Sequence, residues 1–583
     1  MHRRDFLGLG LAAPLVRAQE GPPRLERVES LTPDDSAPLA INHLGFLPKG
    51  RKILLVRGNP AELPVAFEIR DVAAYPKPFL TRMPLRRVTT DIIDCLVGDF
   101  SEIEREGMYQ ISVGGELSVP FFIRPDVWHR TLPKAVGYYK YQRCGVAVPN
   151  VHPACHLDDS RWRDTGEHVD TTGGWHDAGD LRKWMSATMM NGFGLLRLAR
   201  NLGARWDAAG SGLAPILEEV RWGNSYFLKM QDKDGLVWAD VAGGVNGDNS
   251  DNHWTDNQPG TGDDRYLNPA KTGLVQAMFV ALEAMTAHAF RTAAAEYSKR
   301  CLDAAQRCWD AAERGGRTLE TAWWTLAALE MRRATGKPDF ARAAAELGAK
   351  LLGLQTSGFI GSQKEVRGFW RTSESDTTPY ADAVYPALPG LAMLELAEEL
   401  TEHPHAGKWR DAVKMHLEEY VRPMAAHSPF DIMPFGVFNG TPTRETYRPL
   451  AGELTYRYFM PVRKQSWWLG TTSHLECYAA LLAGAARVFR NPAYRHLAFR
   501  HLEWVMGANP FGACLMTGEG MRNPYPHSRF VGLIPGGIMN GIAGNMRDEP
   551  VLDTEYGLDW RTTEYWSPHN AYYLWAVSAL ERA

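Results

Sequence analysis

From about residue 125 almost to its end, the chain repeats one pattern. Amphipathic segments of helical length are parted by loops carrying Gly, Pro, Asn or Asp. Met185, Met189, Phe193 and Leu196 illustrate the spacing, which puts apolar side chains on one helix face. The periodicity predicts helices near 130–142, 183–202, 212–231, 271–289, 291–313, 317–335, 338–354, 380–401, 405–421, 470–489, 491–506 and 568–582. About a dozen helices with little strand fit an (α/α)6 barrel, two concentric rings of six. Helix count alone equally permits a superhelical array, but no fixed-period repeat favours one. The expected fold is mainly α, with the barrel over 126–583.

Residues 37–125 read differently. Strands are expected at Leu39–Asn42, Lys52–Val56, Phe67–Arg70, Asp91–Val97, Tyr109–Val113 and Leu117–Ile123. Turn residues part them: Pro48-Lys49-Gly50, Asn59-Pro60 and Gly114-Gly115. This predicts a small immunoglobulin-like β-sandwich, by architecture only, because no Cys…Trp…Cys spacing is present. Residues 1–18, with Arg3-Arg4, a short apolar run and Val16-Arg17-Ala18, read as a twin-arginine export signal. Residues 19–36 read as a leader. The apolar run is too short to span a bilayer, and no later stretch is expected to span one. The expectation is a periplasmic or secreted protein without a membrane partner.

The net charge of -4 spread over 583 residues gives no sign of a nucleic-acid partner. The chain is read as a monomer. Its seven cysteines are odd in number and widely spaced, which argues against a disulfide framework. The 19 tryptophans suit a helical core, and they equally suit the flat apolar faces of sugar rings. Trp175, Trp254, Trp370 and Trp468 are the stacking candidates, with core packing as the alternative for each.

Two stretches set carboxylates ahead of helices. Gly173-Gly174-Trp175-His176-Asp177-Ala178-Gly179-Asp180 places two aspartates three residues apart on a loop that its glycines keep irregular. There Asp180 serves equally as a helix cap or as a base. Near the other end, Ser567 and Pro568 mark the start of the last helix. Glu564 then lies on the preceding loop, either an ordinary exposed glutamate or an acid.

Together these stretches resemble glycoside hydrolase family 9, the inverting β-1,4-glucanases. Gly173–Asp180 is similar to the family's signature loop. Gly507-Ala508-Asn509-Pro510, Thr517-Gly518-Glu519-Gly520 and Pro526-His527-Ser528-Arg529 are similar to its Gly-x-Asn-Pro, Thr-Gly-x-Gly and Pro-His-His-Arg segments. Glu564 followed by Asn570-Ala571 resembles its C-terminal motif. Asn42–Phe46, Asp99–Ser101 and Gly107–Tyr109 resemble the immunoglobulin-like domain that precedes many family 9 catalytic domains.

The resemblance implies Asp180 as base, Asp177 as a holder of the water and Glu564 as acid. It implies sugar contacts from His527, Arg529, Trp254 and Arg265. The implied substrate is a cellulose-type β-glucan or cello-oligosaccharide, cut at β-1,4-glucosidic bonds. An exo-acting glucosidase or glucosaminidase and a non-catalytic glycan-binding protein are the rival readings. Two departures, Ser528 for the second His and Leu181-Arg182 after the signature loop, leave the carboxylates in place but alter the expected subsite pattern.

Cys144, Cys155, His156 and His176 form a two-thiolate, two-imidazole set suited to structural zinc. Spacing alone is weak here, with no C-x-x-C and buried free cysteine as the plain alternative. Some bacterial family members look to carry such a zinc near the catalytic loop. A calcium ion is a further expectation for the segment Asp251–Asp264, which lacks EF-hand spacing.

Overall fold

The computed structural model describes residues 35, 37–58, 63–72, 80–89, 92, 95–206, 214–243, 253–358, 366–440, 445–461, 469–530, 533–555 and 559–582. The expected export signal, Asp251, Asn252 and Trp468 lie outside the described residues.

Nine strands come first: β1 Leu39–Ala40, β2 Gly45–Phe46, β3 Ile53–Arg57, β4 Ala66–Asp71, β5 Leu80–Val88, β6 Cys95–Asp99, β7 Gly107–Val113, β8 Glu116–Leu117 and β9 Phe121–Ile123. They run in the order β1-β3-β6-β5-β4-β7-β9-β2, with β8 on β7. β5 pairs with β4 through Leu80–Pro84 and with β6 through Leu85–Val88, so one strand serves both layers of the sandwich. Phe46, Leu54, Phe67, Ile69, Phe100, Ile111 and Phe121 fill the space between the layers. Burial of each such side chain is worth about 1.5–3 kcal/mol.

β5 escapes sequence reading for a physical reason. Only Met83 along it is buried, its arginines largely face water, and Pro84 argues against a strand. The expected 117–123 run is split at Pro120 into β8 and β9. The sixth strand begins at Cys95, later than expected.

Among the described residues twelve helices of ten residues or more follow, besides the one-turn helices Arg422–Ala425 and Trp560–Thr563: α1 Leu132–Tyr141, α2 Met185–Leu202, α3 Ala214–Lys229, α4 Gly273–Phe290, α5 Ala295–Ala311, α6 Thr318–Thr335, α7 Pro338–Leu354, α8 Leu388–Glu399, α9 Ala406–His416, α10 Thr472–Phe489, α11 Pro492–Val505 and α12 Ser567–Arg582. α2, α4, α6, α8, α10 and α12 pack in succession, and α12 closes back on α2. The other six lie outside them, each against an inner helix. The result is an (α/α)6 barrel, and closure excludes the open array.

Inner helices are wrapped on all sides, which makes some of them apolar all round. α4 is long and apolar enough to cross a membrane, with mean hydropathy 1.3, contrary to the expectation that no such stretch exists. It is 78% buried inside the protein and serves as a core helix.

Two helix starts differ from expectation. Lys183–Trp184 forms a short strand against Asp240–Val241, so α2 begins at Met185 with no side-chain cap. Asp180 is therefore not a helix cap. α8 begins at Leu388 rather than 380, because the Asp382 carboxylate accepts the N–H groups of Val384 and Tyr385 and holds a turn.

The sandwich rests on the barrel through hydrogen bonds to main-chain carbonyls of the barrel. His43 N donates to Met506 O at 2.8 Å, and Arg57 Nη1 donates to Pro510 O at 2.7 Å. This supports residues 506–521, which lead into the His527 loop.

Candidate active site

Three loops meet at one end of the barrel. The Asp177–Asp180 loop is pinned on both sides. Asp177 N donates to Arg182 O at 2.7 Å, and Ser567 N donates to Asp177 O at 2.7 Å. Ala178 forms an antiparallel bridge with Trp566. The loop that carries Glu564 is thus laid directly on the loop that carries both aspartates, although nearly four hundred residues separate them. Gly179 is needed for the third loop. A Cβ there would stand 2.5 Å from His527 O, and Arg529 N donates to Gly179 O at 2.8 Å.

Glu564 ends the one-turn helix Trp560–Thr563 in an extended conformation. Its side chain is buried, and Oε1 has no hydrogen-bond partner. The same holds for Asp177 Oδ1, while Asp177 Oδ2 accepts the Trp566 indole N–H at 3.2 Å. Asp180 is half-buried, and its Oδ1 accepts Arg182 N at 3.2 Å.

Burial raises all three groups, and the groups that oppose it set them apart. Burial and then the Asp180 charge push Asp177 well above the usual carboxylate range. Burial, then the charges of Asp180 and Asp177, push Glu564 well above it too. Burial also raises Asp180, but the Arg182 N–H and the guanidinium charges of Arg182, Arg265 and Arg529 oppose the rise. The arrangement can hold one carboxyl protonated beside one that ionises more readily, as acid–base chemistry requires.

His527 lies on the third loop with Nδ1 3.3 Å from Asp559 Oδ1. Arg529 is half-buried on the same loop, and its charge is felt at both Asp180 and Glu564. Arg265 is elsewhere. It is fully buried and donates to Asp159 at 2.8 Å and 2.5 Å and to Leu181 O at 2.5 Å. With Lys183 on the same carboxylate at 2.6 Å, it braces the wall behind the aspartates rather than a sugar.

Two of the tryptophans are core residues. Trp175 is buried, with its indole N–H on Glu219, and Trp370 is buried, with its N–H on Leu351 O. Trp254 is half-buried and stacks on His156. In the sequence Arg182 stands out only as half of the Leu181-Arg182 departure, and Asp559 does not stand out at all. A fully buried Asp five residues before Glu564 carries no signal until its histidine partner is seen.

Cys144, Cys155, His156 and His176 converge, with all four donor atoms within 4.8 Å of one another and all four residues buried. Cys144 Sγ is 3.6 Å from His156 Nδ1, Cys155 Sγ is 3.7 Å from His176 Nε2, and the two imidazole nitrogens are 3.4 Å apart. A tetrahedral zinc with its usual bond lengths has edges of about 3.6 Å between S and N and about 3.3 Å between N and N. The donor set therefore fits zinc. Burial lowers His176 to about 3, which keeps its imidazole neutral. His156 Nε2 bonds His253 O at 3.0 Å, so this cluster also holds the loop that bears Trp254. Asp158, Asp263 and Asp264 form a second group with donor atoms within 4.8 Å.

The chain matches the family model described as glycosyl hydrolase family 9 over residues 128–536, well over half its length. It is 34% identical to a cellodextrinase of Butyrivibrio fibrisolvens over 164 residues, 25% of this chain and 30% of that protein. It is 27% identical to endoglucanase D of Acetivibrio thermocellus over 295 residues, 46% of this chain and 44% of that protein. The chain thus spans less than half the length of these curated relatives. Among solved structures, a metagenome-derived family 9 endoglucanase superposes with TM-score 0.70 at 20% identity, covering 94% of this chain and 99% of the other. A zinc-binding triple mutant of a family 9 endoglucanase superposes with TM-score 0.65 at 23% identity, covering 91% of this chain and 99% of the other. The family match, together with the barrel and its meeting of carboxylates, leads to one conclusion: the chain belongs to glycosyl hydrolase family 9.

Proposed function

We propose that the protein is an exported endo-β-1,4-glucanase that hydrolyses cellulose-type glucans or cello-oligosaccharides with inversion. Glu564 gives its proton to the glycosidic oxygen as the bond to the anomeric carbon breaks. Asp180 takes a proton from a water, which attacks that carbon from the opposite face, and Asp177 holds the water. The β-linked sugar leaves as the α-anomer. His527 and Arg529 bind the sugar being cleaved.

One observation supports this assignment above others. The bridge between Ala178 and Trp566 lays the two carboxylate loops together, with Asp177 Oδ1 and Glu564 Oε1 both buried and unpartnered. Buried polar atoms left without partners are costly and mark a place kept for a ligand.

Structural zinc belongs to the same reading. Cys144, Cys155, His156 and His176 would hold it, and when bound it would tie the base loop to the Trp254 loop. Calcium is proposed at Asp158, Asp263 and Asp264, where buried Asp158 Oδ2 has no hydrogen-bond partner. Export by the twin-arginine route rests on residues 1–18.

The test is product analysis with reducing-end-labelled cellohexaose. Several mid-length labelled fragments are expected, with activity falling about 10²–10⁴-fold in Asp180→Ala and in Glu564→Gln. Loss of one sugar at a time would replace the endo assignment with an exo one. No cleavage, or unchanged cleavage in both variants, would overturn the reading.

A further inference from the structure

Asp559 is fully buried at the start of the one-turn helix Trp560–Thr563, and its carboxylate makes no capping bond to that helix. Instead Oδ1 faces Nδ1 of His527 at 3.3 Å. The other end of the helix holds the main chain of the same histidine, because His527 N donates to Thr563 O at 3.2 Å. Glu564 follows immediately. On its far side the His527 loop is locked to Gly179. The histidine's backbone is therefore clamped between the base loop and the acid-bearing turn, and the Asp559 carboxylate stands where it bears on the rotation of the ring.

A carboxylate removed from water is costly unless it is paired. Here its histidine partner keeps about a quarter of its side chain exposed, at 26%. A carboxylate on Nδ1 fixes both the tautomer and the orientation of an imidazole. We infer that Asp559 is a positioning residue that acts through His527, accepting its Nδ1–H so that Nε2 meets a hydroxyl of the sugar about to be cleaved. This rests on the glycosidase reading above and extends it by one residue with no substrate contact of its own.

A double-mutant cycle tests it with wild type, His527→Ala, Asp559→Asn and the double variant. Asp559→Ala serves as a second version should the asparagine variant misfold. Turnover of cellohexaose gives kcat and KM, calorimetric titration with cellotetraose gives affinity, and thermal unfolding gives Tm. In the His527 background, Asp559→Asn is expected to lower kcat/KM about 10–100-fold, as orienting partners of functional histidines do. Tm should change little, and no further loss should follow in the His527→Ala background.

Equal losses in both backgrounds, or no loss in either, would overturn the inference while leaving the glycosidase reading intact. If the wild type binds cellotetraose without cleaving, the catalytic reading falls and the cycle is read from affinity. Neither binding nor cleavage by the wild type would overturn both.

Discussion

The indole N–H of Trp566 donates to Asp177 Oδ2 at 3.2 Å, joining residues 389 positions apart in the chain. Together with the backbone bridge from Trp566 to Ala178, it makes the base loop and the acid-bearing segment one unit. A hydrogen bond of this kind is worth about 0.5–1.5 kcal/mol. Trp566→Phe keeps an aromatic side chain but removes this donor. It is expected to lower kcat up to roughly tenfold with KM little changed, measured on cello-oligosaccharide.

Glu564 is held well above the usual carboxylate range chiefly by burial. Its ionised form is therefore disfavoured in the folded protein, and the stability it contributes is full at low pH and lost as pH rises through its folded pKa. Glu564→Gln mimics the protonated form. The variant is expected to unfold at a higher temperature than wild type at pH 8, with the difference vanishing near pH 4. Equal melting curves at both pH values would refute this.

For activity the same shift acts with Asp180, which is also raised. The acidic limb of the kcat/KM profile is expected above the pH at which an unperturbed aspartate titrates, because the base is lost as pH falls through its raised pKa. The alkaline limb should report loss of the Glu564 proton and should disappear from the profile of Glu564→Gln measured on its residual activity.

Zinc at the Cys144–His176 cluster predicts one zinc per chain by elemental analysis. Chelation is expected to lower both Tm and activity, since the metal would fix the residue next to Asp177. Cys144→Ser should lose the metal and show the same two losses. Retention of full stability and activity after complete chelation would sink the proposal.

Arg265 separates a brace from a sugar contact. Arg265→Met leaves Asp159 buried with Lys183 as its remaining ion-pair partner and is expected to cost about 3–5 kcal/mol in denaturant unfolding. KM for cellohexaose should stay within about twofold. A raised KM with unchanged stability would return Arg265 to the sugar-binding set.

Much of this molecule was legible in the chain because the information is local. The helical period that buries Met185, Met189 and Leu196 can be read without neighbours, and so can the glycines that keep 173–180 irregular. The four metal-binding candidates were legible as residue types, and the resemblance to family 9 supplied the order of the motifs. What failed locally failed for the same reason: β5, with one buried residue and a proline, is a strand only because β4 and β6 flank it.

Only the tertiary structure decided which polar residues face the site and which stand behind it. Arg265, Trp175 and Trp370 have the chemistry of sugar binders, yet each is buried with its polar atoms engaged by the protein itself. Asp559 has no sequence signal, yet its buried carboxylate meets His527. Sequence determines which side chains are available and which segments form helices. Burial and partnership depend on contacts between residues hundreds of positions apart, and those exist only once the inner ring has closed from α12 onto α2.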